Sequence, residues 1–266
     1  MIKNKFCLAL IGLLFLNLHT GQASLDKDEV SDIENRLTQV SLSKDNIQTD
    51  KTNIDFNEKE AYVLMIKGSL QLESISDKDL KDFQALWSNP ETMKWIGKGT
   101  IKSEEQSAKE FTAFKNCWKR SFDLNILSFN NLFTIKVKEP EEEGFKFIGY
   151  VNLFTHRDEG WNIIDAGCIE LGLGISPEYQ GKGQGRQAIQ MIIKDYIPYL
   201  NAHNKFSVVG QPIASVEATC KPDNVYVNKA LREECGDPTY LAETSYGSPR
   251  NFYKLVLTTQ ELKTKD

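Results

Sequence analysis

The sequence predicts a mixed α/β fold, α+β-like in its sheet, in which an antiparallel meander of strands joins one parallel crossover. Three observations carry this. Alternating apolar runs at 133–137, 145–154 and 168–175 follow one another with only turn or loop segments between them, the pattern of strands that pair in sequence order. A helical segment at 184–198 separates the third run from an apolar strand at 216–220, as a parallel crossover requires. The 266 residues, 40% hydrophobic and 10% aromatic, suffice for one domain with a proper core plus extensions.

The elements follow in order. Tyr62 to Lys67 reads as a short apolar strand. Ser76-Asp77 can cap a helix to about Ser88, with Leu80, Phe83 and Leu86 at helical spacing, and Asn89-Pro90 ends it. Ser103 with Gln106 has the form of a capping box for a helix at about 104–121. The stripe Phe111, Phe114 and Trp118 on that helix is read as core packing. Glu139-Pro140 through Gly144 makes the turn between strands 133–137 and 145–154. A loop at 155–166 holds His156, read as an exposed loop residue because no Ser or Cys motif pairs with it. The helix at 184–198 ends near Pro198, a long connection covers 201–213, and Val216 to Cys220 is a strand. Asn224 to about Glu234 is a short helix stopped at Gly236, and Phe252 to Leu257 is the last strand. The predicted order is β-α-α-β-β-β-α-β-α-β.

The N-terminus has the form of a secretory signal. Lys3 and Lys5 precede an apolar run from Phe6 to Leu18, and Gly21-Gln22-Ala23 supplies small residues for cleavage. The run is shorter than the roughly 20 residues of a spanning helix. An uncleaved anchor or a cytoplasmic protein is the alternative, and the absence of a cysteine after the run argues against a lipid anchor. Residues 24–60 are rich in Asp, Lys, Asn, Ser and Thr and read as a disordered leader. The expected layout is a signal peptide at 1–23, a leader at 24–60, one folded domain at 61–260 and a tail at 261–266. The protein is expected to be exported, periplasmic or secreted, with no membrane contact after cleavage.

The net charge of −5 argues against a nucleic-acid partner, whose affinity needs basic surface. Cys117, Cys168, Cys220 and Cys235 have no Cys-x-x-Cys spacing, so no metal site is expected. In an exported chain their even number permits two bridges, and four free buried thiols are the alternative.

The most informative segment runs from Ile169 to Gln187. Alternation points Ile169, Leu171, Leu173 and Ile175 into a core and Glu170, Gly172 and Gly174 to the other face. Two strand glycines pack nothing, so something approaches the backbone closely there; a β-bulge, which would also move Glu170 to another face, is the alternative. Gln180-Gly181-Lys182-Gly183-Gln184-Gly185-Arg186 is neither a Walker loop nor a dinucleotide fingerprint. It reads as consecutive N–H groups at a helix N-terminus facing an anion, with Lys182 and Arg186 adding charge. A flexible surface turn is the bland alternative.

Here the sequence resembles the GNAT superfamily of acyl-CoA N-acyltransferases, whose Gln/Arg-x-x-Gly-x-Gly/Ala signature is matched by Gln180, Gly183 and Gly185. The closer resemblance is to the branch that acetylates ribosomal-protein N-termini, through Trp87 to Gly97, Glu170 to Gly181 and Pro222-Asp223-Asn224, over roughly residues 62–258. It implies a strongly bent mixed sheet with helices on both faces and a splay between the central strands. It implies acetyl-CoA as co-substrate, with the backbone of Leu173, Gly174 and Ile175 pairing with the pantetheine arm, the N–H groups of Gln180, Gly181, Lys182, Gly183, Gln184, Gly185 and Arg186 on the pyrophosphate, and Asn224 opening the last helix. It implies an N-acetyltransferase acting on a primary amine of a small molecule or a protein.

For that chemistry Glu170 is the candidate base, directly or through water, with Glu217 and Asp165 as weaker ones; an ion-paired edge residue is the alternative for Glu170. Backbone N–H groups near Leu173 are the candidate oxyanion donors. The sequence departs from the branch in three places. Val227 stands where a Ser is common, the last helix has no later Tyr, and Gly174 replaces a large aromatic; Tyr226 is expected to face away from the site. The missing acid and the export signal leave a second reading, an exported non-enzymatic binding module on the same fold.

Overall fold

The structure is a computed structural model that describes residues 51–156, 165–243 and 245–257. The segments read as signal peptide and tail, the leader before residue 51 and most of the 155–166 loop lie outside these residues.

Nine strands form one sheet in the order β1-β2-β3-β4-β5-β6-β7-β9-β8. β1 (Asn53–Asn57), β2 (Tyr62–Lys67), β3 (Leu70–Ser74), β4 (Asn130–Lys138), β5 (Phe145–Phe154) and β6 (Cys168–Ile175) make an antiparallel meander. β6 runs parallel to β7 (Ser215–Cys220), and β9 (Arg250–Val256) and β8 (Tyr240–Ala242) complete the sheet antiparallel. The helices are α1 (Leu80–Ser88), α2 (Pro90–Met93), α3 (Glu104–Leu124), α4 (Gln184–Gln190), α5 (Ile197–Ala202) and α6 (Val225–Cys235).

The predicted strands and long helices are all present, and three strands are additional. β1 carries only Ile54 and Phe56 as apolar residues, and its polar composition hid it inside the stretch read as leader. Phe56 anchors it, with ring centroids 5.0 Å from Phe122 and 5.1 Å from Phe206. Within the described residues β1 at Asn53–Asn57 joins the sheet, eight residues before the expected domain start at 61. β3 follows β2 after a two-residue turn, with Lys67 paired to Leu70 and Gly68 at φ +59°. β8 is a three-residue edge strand, too short to show alternation.

The caps follow the sequence closely. Asn89 accepts from the Glu91 N–H at 2.9 Å and so starts α2 where α1 stops. Ser103 and Gln106 form the reciprocal pair at the start of α3. Phe111, Phe114 and Trp118 are buried, as a core stripe should be. Pro198 does not end its helix. A π-turn at Met191–Tyr196 interrupts the α-helical bonding, which restarts at Ile197 and continues to Ala202. Pro198 then occupies a first-turn position, where a missing N–H costs nothing.

Helices cover both faces of the central strands. Gly174 on β6 lies beneath Tyr150 and Ile96, on the side of α1, while its neighbours Leu173 and Ile175 lie beneath Gly185 of α4. Tyr150 packs on Phe83 of α1 with ring centroids 5.5 Å apart. β5 bulges opposite Ile135 and Lys136, which bends and twists the strand just where it meets the end of β6.

Candidate active site

β6 keeps an unbroken register against β5 from Gly149↔Ile175 to Phe154↔Glu170. No bulge interrupts it, so the alternation read from the sequence holds and Glu170, Gly172 and Gly174 share one face. Against β7 the pairing covers only Cys168↔Ser215, Ile169↔Val216 and Glu170↔Glu217. Beyond that point β7 continues to pair with β9 through Cys220, and β6 and β7 part. The splay leaves the β7 side of Leu173, Gly174 and Ile175 open.

A cavity of about 440 Å³ fills the splay. It is lined by Leu173, Gly174 and Ile175 of β6, by Gln180, Gly181, Lys182, Gly183, Gly185 and Arg186 of the loop and α4, and by Asn224, Tyr226, Val227, Lys229, Ala230 and Glu233 of α6 and its cap. Thr92, Trp95 and Ile96 close it from the segment after α1. Of the expected cofactor residues only Gln184 is not in this lining; it is the first residue of α4.

The geometry of the loop explains its residues. Gly183 caps α4 at φ +91°, a conformation that L side chains avoid. The N–H groups of the helix's first turn have no intrahelical acceptor, and they open toward the cavity with the positive end of the helix dipole. Gln180 ties the loop back to β6 by donating from Nε2 to the Ile175 carbonyl at 2.9 Å. Arg186 Nη1 lies 2.6 Å from Glu233 of α6, so part of the loop's charge is neutralised across the cavity mouth. Lys182 Nζ sits 4.9 Å from the centroid of Tyr179, whose hydroxyl donates to Glu139 at 2.7 Å.

Asn224 opens α6 as expected: it lines the cavity, and its side chain caps the helix by accepting from the Val227 N–H at 3.3 Å. Tyr226 does not face away: its ring borders the cavity against Gly181, where an added Cβ would stand 3.2 Å from Tyr226 Cε1. Asn228, which the sequence reading passed over, holds this end together. Its Nδ2 donates to the carbonyls of Lys221, Pro222 and Asn224, and its Oδ1 accepts from Asn251 and Tyr253.

Glu170 does not line the cavity. It sits at the closed end of the splay, three residues or about 10 Å of strand before Leu173. It is buried beside its register partner Glu217. His156 Nε2 lies between them, 3.5 Å from Glu170 Oε2 and 3.4 Å from Glu217 Oε2. Thr219 Oγ1 donates to Glu170 at 3.3 Å, and Lys254 Nζ lies 2.7 Å from Glu217. Burial pushes the Glu170 carboxyl up, and the Glu217 charge adds to this; His156, Thr219 and Arg250 oppose it without cancelling it. Tyr246 stands nearby, its phenol pushed up to about 12 by burial and by the Glu170 charge. Arg250 lies over the Tyr246 ring at 5.2 Å and donates to the Gly97 carbonyl at 2.6 Å. Asp165, the other weaker candidate base, is exposed.

The reading of His156 as an exposed loop residue is therefore corrected. A usable signal was present: Tyr150, Asn152 and Phe154 face the same side as Glu170, and counting two further brings His156 to that face. Tyr246 and Arg250 come from the C-terminal segment and carry no local signature.

The four cysteines in the described residues are free, with Cys168 and Cys220 buried. Burial raises the Cys220 thiol to about 12 and the Cys235 thiol to about 11. Among the described residues no group of three His, Cys, Asp or Glu side chains is placed to hold a metal ion, and no helix is long and apolar enough to cross a membrane.

Known proteins share this fold. The family described as acetyltransferase (GNAT) domain matches residues 69–234. No curated protein matches the chain significantly. Among solved structures, the ribosomal L7/L12 α-N-protein acetyltransferase RimL in complex with coenzyme A aligns with a TM-score of 0.53 at 14% identity, over 72% of this chain and 96% of that one. The ribosomal-protein-S5-alanine acetyltransferase of Vibrio fischeri aligns with a TM-score of 0.52 at 16% identity, over 73% and 96%. The acetyltransferase from Salmonella typhimurium that modifies the N-terminal serine of L7/L12 aligns with a TM-score of 0.51 at 14% identity, over 71% and 96%. At these identities the likeness concerns the fold, while the family match spans most of the chain. The sequence motif, the splayed sheet and the family match agree: this chain belongs to the GNAT acetyltransferase family.

Proposed function

We propose that the protein transfers an acetyl group from acetyl-CoA to a primary amine. The observation that carries this reading is the splay between β6 and β7, with a glycine-lined cavity on one side and a buried carboxylate at its closed end. The residues suit a coenzyme A thioester. The open backbone of Leu173 to Ile175 offers strand-like hydrogen bonds to an amide-bearing arm, and the bare N–H groups from Gly181 to Arg186 suit a pyrophosphate. A Cβ on Gly185 would come within 3.1 Å of Leu173 Cδ2, so glycine keeps helix and strand close enough to form this cradle.

When bound, acetyl-CoA supplies an activated thioester. The chain's residues then have distinct tasks. Glu170, directly or through one water, takes the proton from the attacking amine. Its raised proton affinity suits a base that works near neutral pH. The backbone N–H groups near Leu173 stabilise negative charge on the thioester oxygen. Tyr150 and Ile96 pack directly over Gly174 and wall that face of β6, so the acceptor approaches from beside this contact.

The neighbours that act on protein N-termini make an α-amine a natural first acceptor. The test is a coupled assay of coenzyme A release with four amines: a peptide beginning in Ser, one beginning in Ala, spermidine and an aminoglycoside. Turnover of any of them supports the reading. Firm acetyl-CoA binding without turnover of any amine would count against it.

We further propose that residues 1–23 direct export. The apolar run after Lys3 and Lys5 supports this. Cell fractionation with N-terminal sequencing tests it; an intact Met1 in the cytosol would sink it.

A further inference from the structure

The base described above has an unsolved exit. Glu170 is buried, with its side chain 9% accessible, so a proton gained there cannot pass directly to bulk water. Glu217 is equally enclosed and is held by Lys254. His156 is different. Its side chain is 25% accessible, while its Nε2 is buried, has no hydrogen-bond partner, and lies 3.5 Å and 3.4 Å from the two carboxylates. One end of the imidazole thus meets the buried carboxylates and the ring as a whole reaches solvent.

We propose that His156 carries the proton from Glu170 to solvent, and that Glu217 positions the imidazole for this task. The inference rests on the acetyl-transfer reading and adds a route to it. The amine N–H bond breaks as an O–H bond forms on Glu170. That proton passes to Nε2 in the form of the ring whose Nε2 lone pair is free and whose other proton is on Nδ1. The imidazolium releases the Nδ1 proton to water or buffer, and rotation or exchange restores the starting tautomer. No electrons are exchanged and no further reactant is needed.

The charged and titratable groups that face this unit are few. Cys168 comes from β6, Glu217 and Thr219 from β7, Arg250 and Lys254 from β9, and Tyr246 from the segment before β9. Lys254 is paired with Glu217, and the Arg250 guanidinium lies over Tyr246. Among these described groups, His156 alone touches both carboxylates.

Two measurements test the proposal. The first needs no acceptor. The chain has three histidines, so the ¹⁵N resonance of His156 Nε2 can be followed in the intact protein. Glu217→Gln and Glu170→Gln should each move it while leaving His203, which is stacked on Tyr199, in place. An unmoved His156 signal overturns the proposal whatever the substrate.

The second uses whichever of the four screened amines turns over. In dilute buffer His156→Gln should lower kcat about tenfold or more, with acetyl-CoA affinity intact, and added imidazole should restore it. A kcat that is unchanged, or lowered but insensitive to imidazole, overturns the relay. Failure of the wild type to use any amine would instead sink the acetyl-transfer reading, and the resonance measurement would still decide the contact.

Discussion

Gly174 and Tyr150 face each other across β6 and β5 so closely that a Cβ on Gly174 would lie 2.6 Å from Tyr150 Cε1. The Tyr150 ring is buried against Phe83 and Trp87 and has nowhere to go. An aromatic side chain is thus supplied to this part of the site by β5, opposite the position where the related branch carries one on its central strand. Gly174→Ala should destabilise the fold by about 1–3 kcal/mol through overpacking. Urea unfolding measures this. Adding Tyr150→Leu should recover part of the loss, giving a favourable coupling energy. Equal costs in the two backgrounds would show that the contact is not the cause.

Glu170→Gln should have opposite effects on activity and stability. Loss of the base should cut turnover by about 10²–10⁴. Wild-type turnover should rise with pH as the raised carboxyl of Glu170 ionises, and the variant should lose that rise. The stability effect has its own sign. A carboxyl whose folded-state affinity for a proton is raised contributes its stability below the ordinary carboxylate range, and that contribution is lost as pH rises through the raised value. The neutral amide escapes this loss. The variant should therefore melt higher than wild type at pH 8, with the difference closing toward pH 4. A variant less stable at pH 8 would mean that the charged Glu170 is held by its partners and not penalised by burial.

The parts of this site that follow local rules were legible in the sequence. Alternation along β6 placed Glu170, Gly172 and Gly174 on one face, and the register against β5 shows that face intact. The glycines of the loop announced bare N–H groups, and Ser103 with Gln106 announced a helix start. What escaped depends on contacts between distant segments. His156 gains its meaning only from Glu217, 61 positions later, and Arg250 from Gly97. β1 was hidden because two apolar residues suffice when Phe122 and Phe206 receive one of them. Pro198 misled because a π-turn, which has no composition signal, moved it into a tolerated position.

Gly183 should be replaceable only at a cost to binding. An added Cβ there meets nothing within 4 Å, so the constraint is the backbone at φ +91° and not space. Gly183→Ala carries strain of about 1–2 kcal/mol in the observed conformation. Relaxing it would turn the loop's N–H groups away from the cavity. Calorimetric titration with acetyl-CoA should show binding weakened about tenfold, equivalent to about 1.4 kcal/mol. Thermal stability should change little, since the loop can relax. Unchanged affinity would remove the loop from the pyrophosphate site.

A buried charge cluster lies away from the active site, centred on Glu73 of β3 and Lys136 of β4. Lys136 is buried between Glu73, with which it forms an ion pair, and Asp79 Oδ1 at 2.7 Å. Lys78 and Tyr62 also bind Glu73, at 3.1 Å and 2.9 Å. Burial alone would push the Glu73 carboxyl up, but these cations and hydrogen bonds outweigh it and hold the carboxyl below its usual range. Such a group contributes stability above the ordinary carboxylate range, and loses it as pH falls through the lowered value. Lys136→Met removes the buried cation shared by Glu73 and Asp79 and should cost about 3–5 kcal/mol at neutral pH. It should also weaken the pH response. Without the Lys136 ammonium, only Lys78 and the hydrogen bonds of Tyr62 and Gln71 oppose burial at Glu73, so acidification removes less stabilisation and relieves more of the burial penalty. Melting curves from pH 7 down to pH 4 should therefore fall for wild type and fall less for the variant. Parallel curves would show that the pH dependence of this fold originates elsewhere.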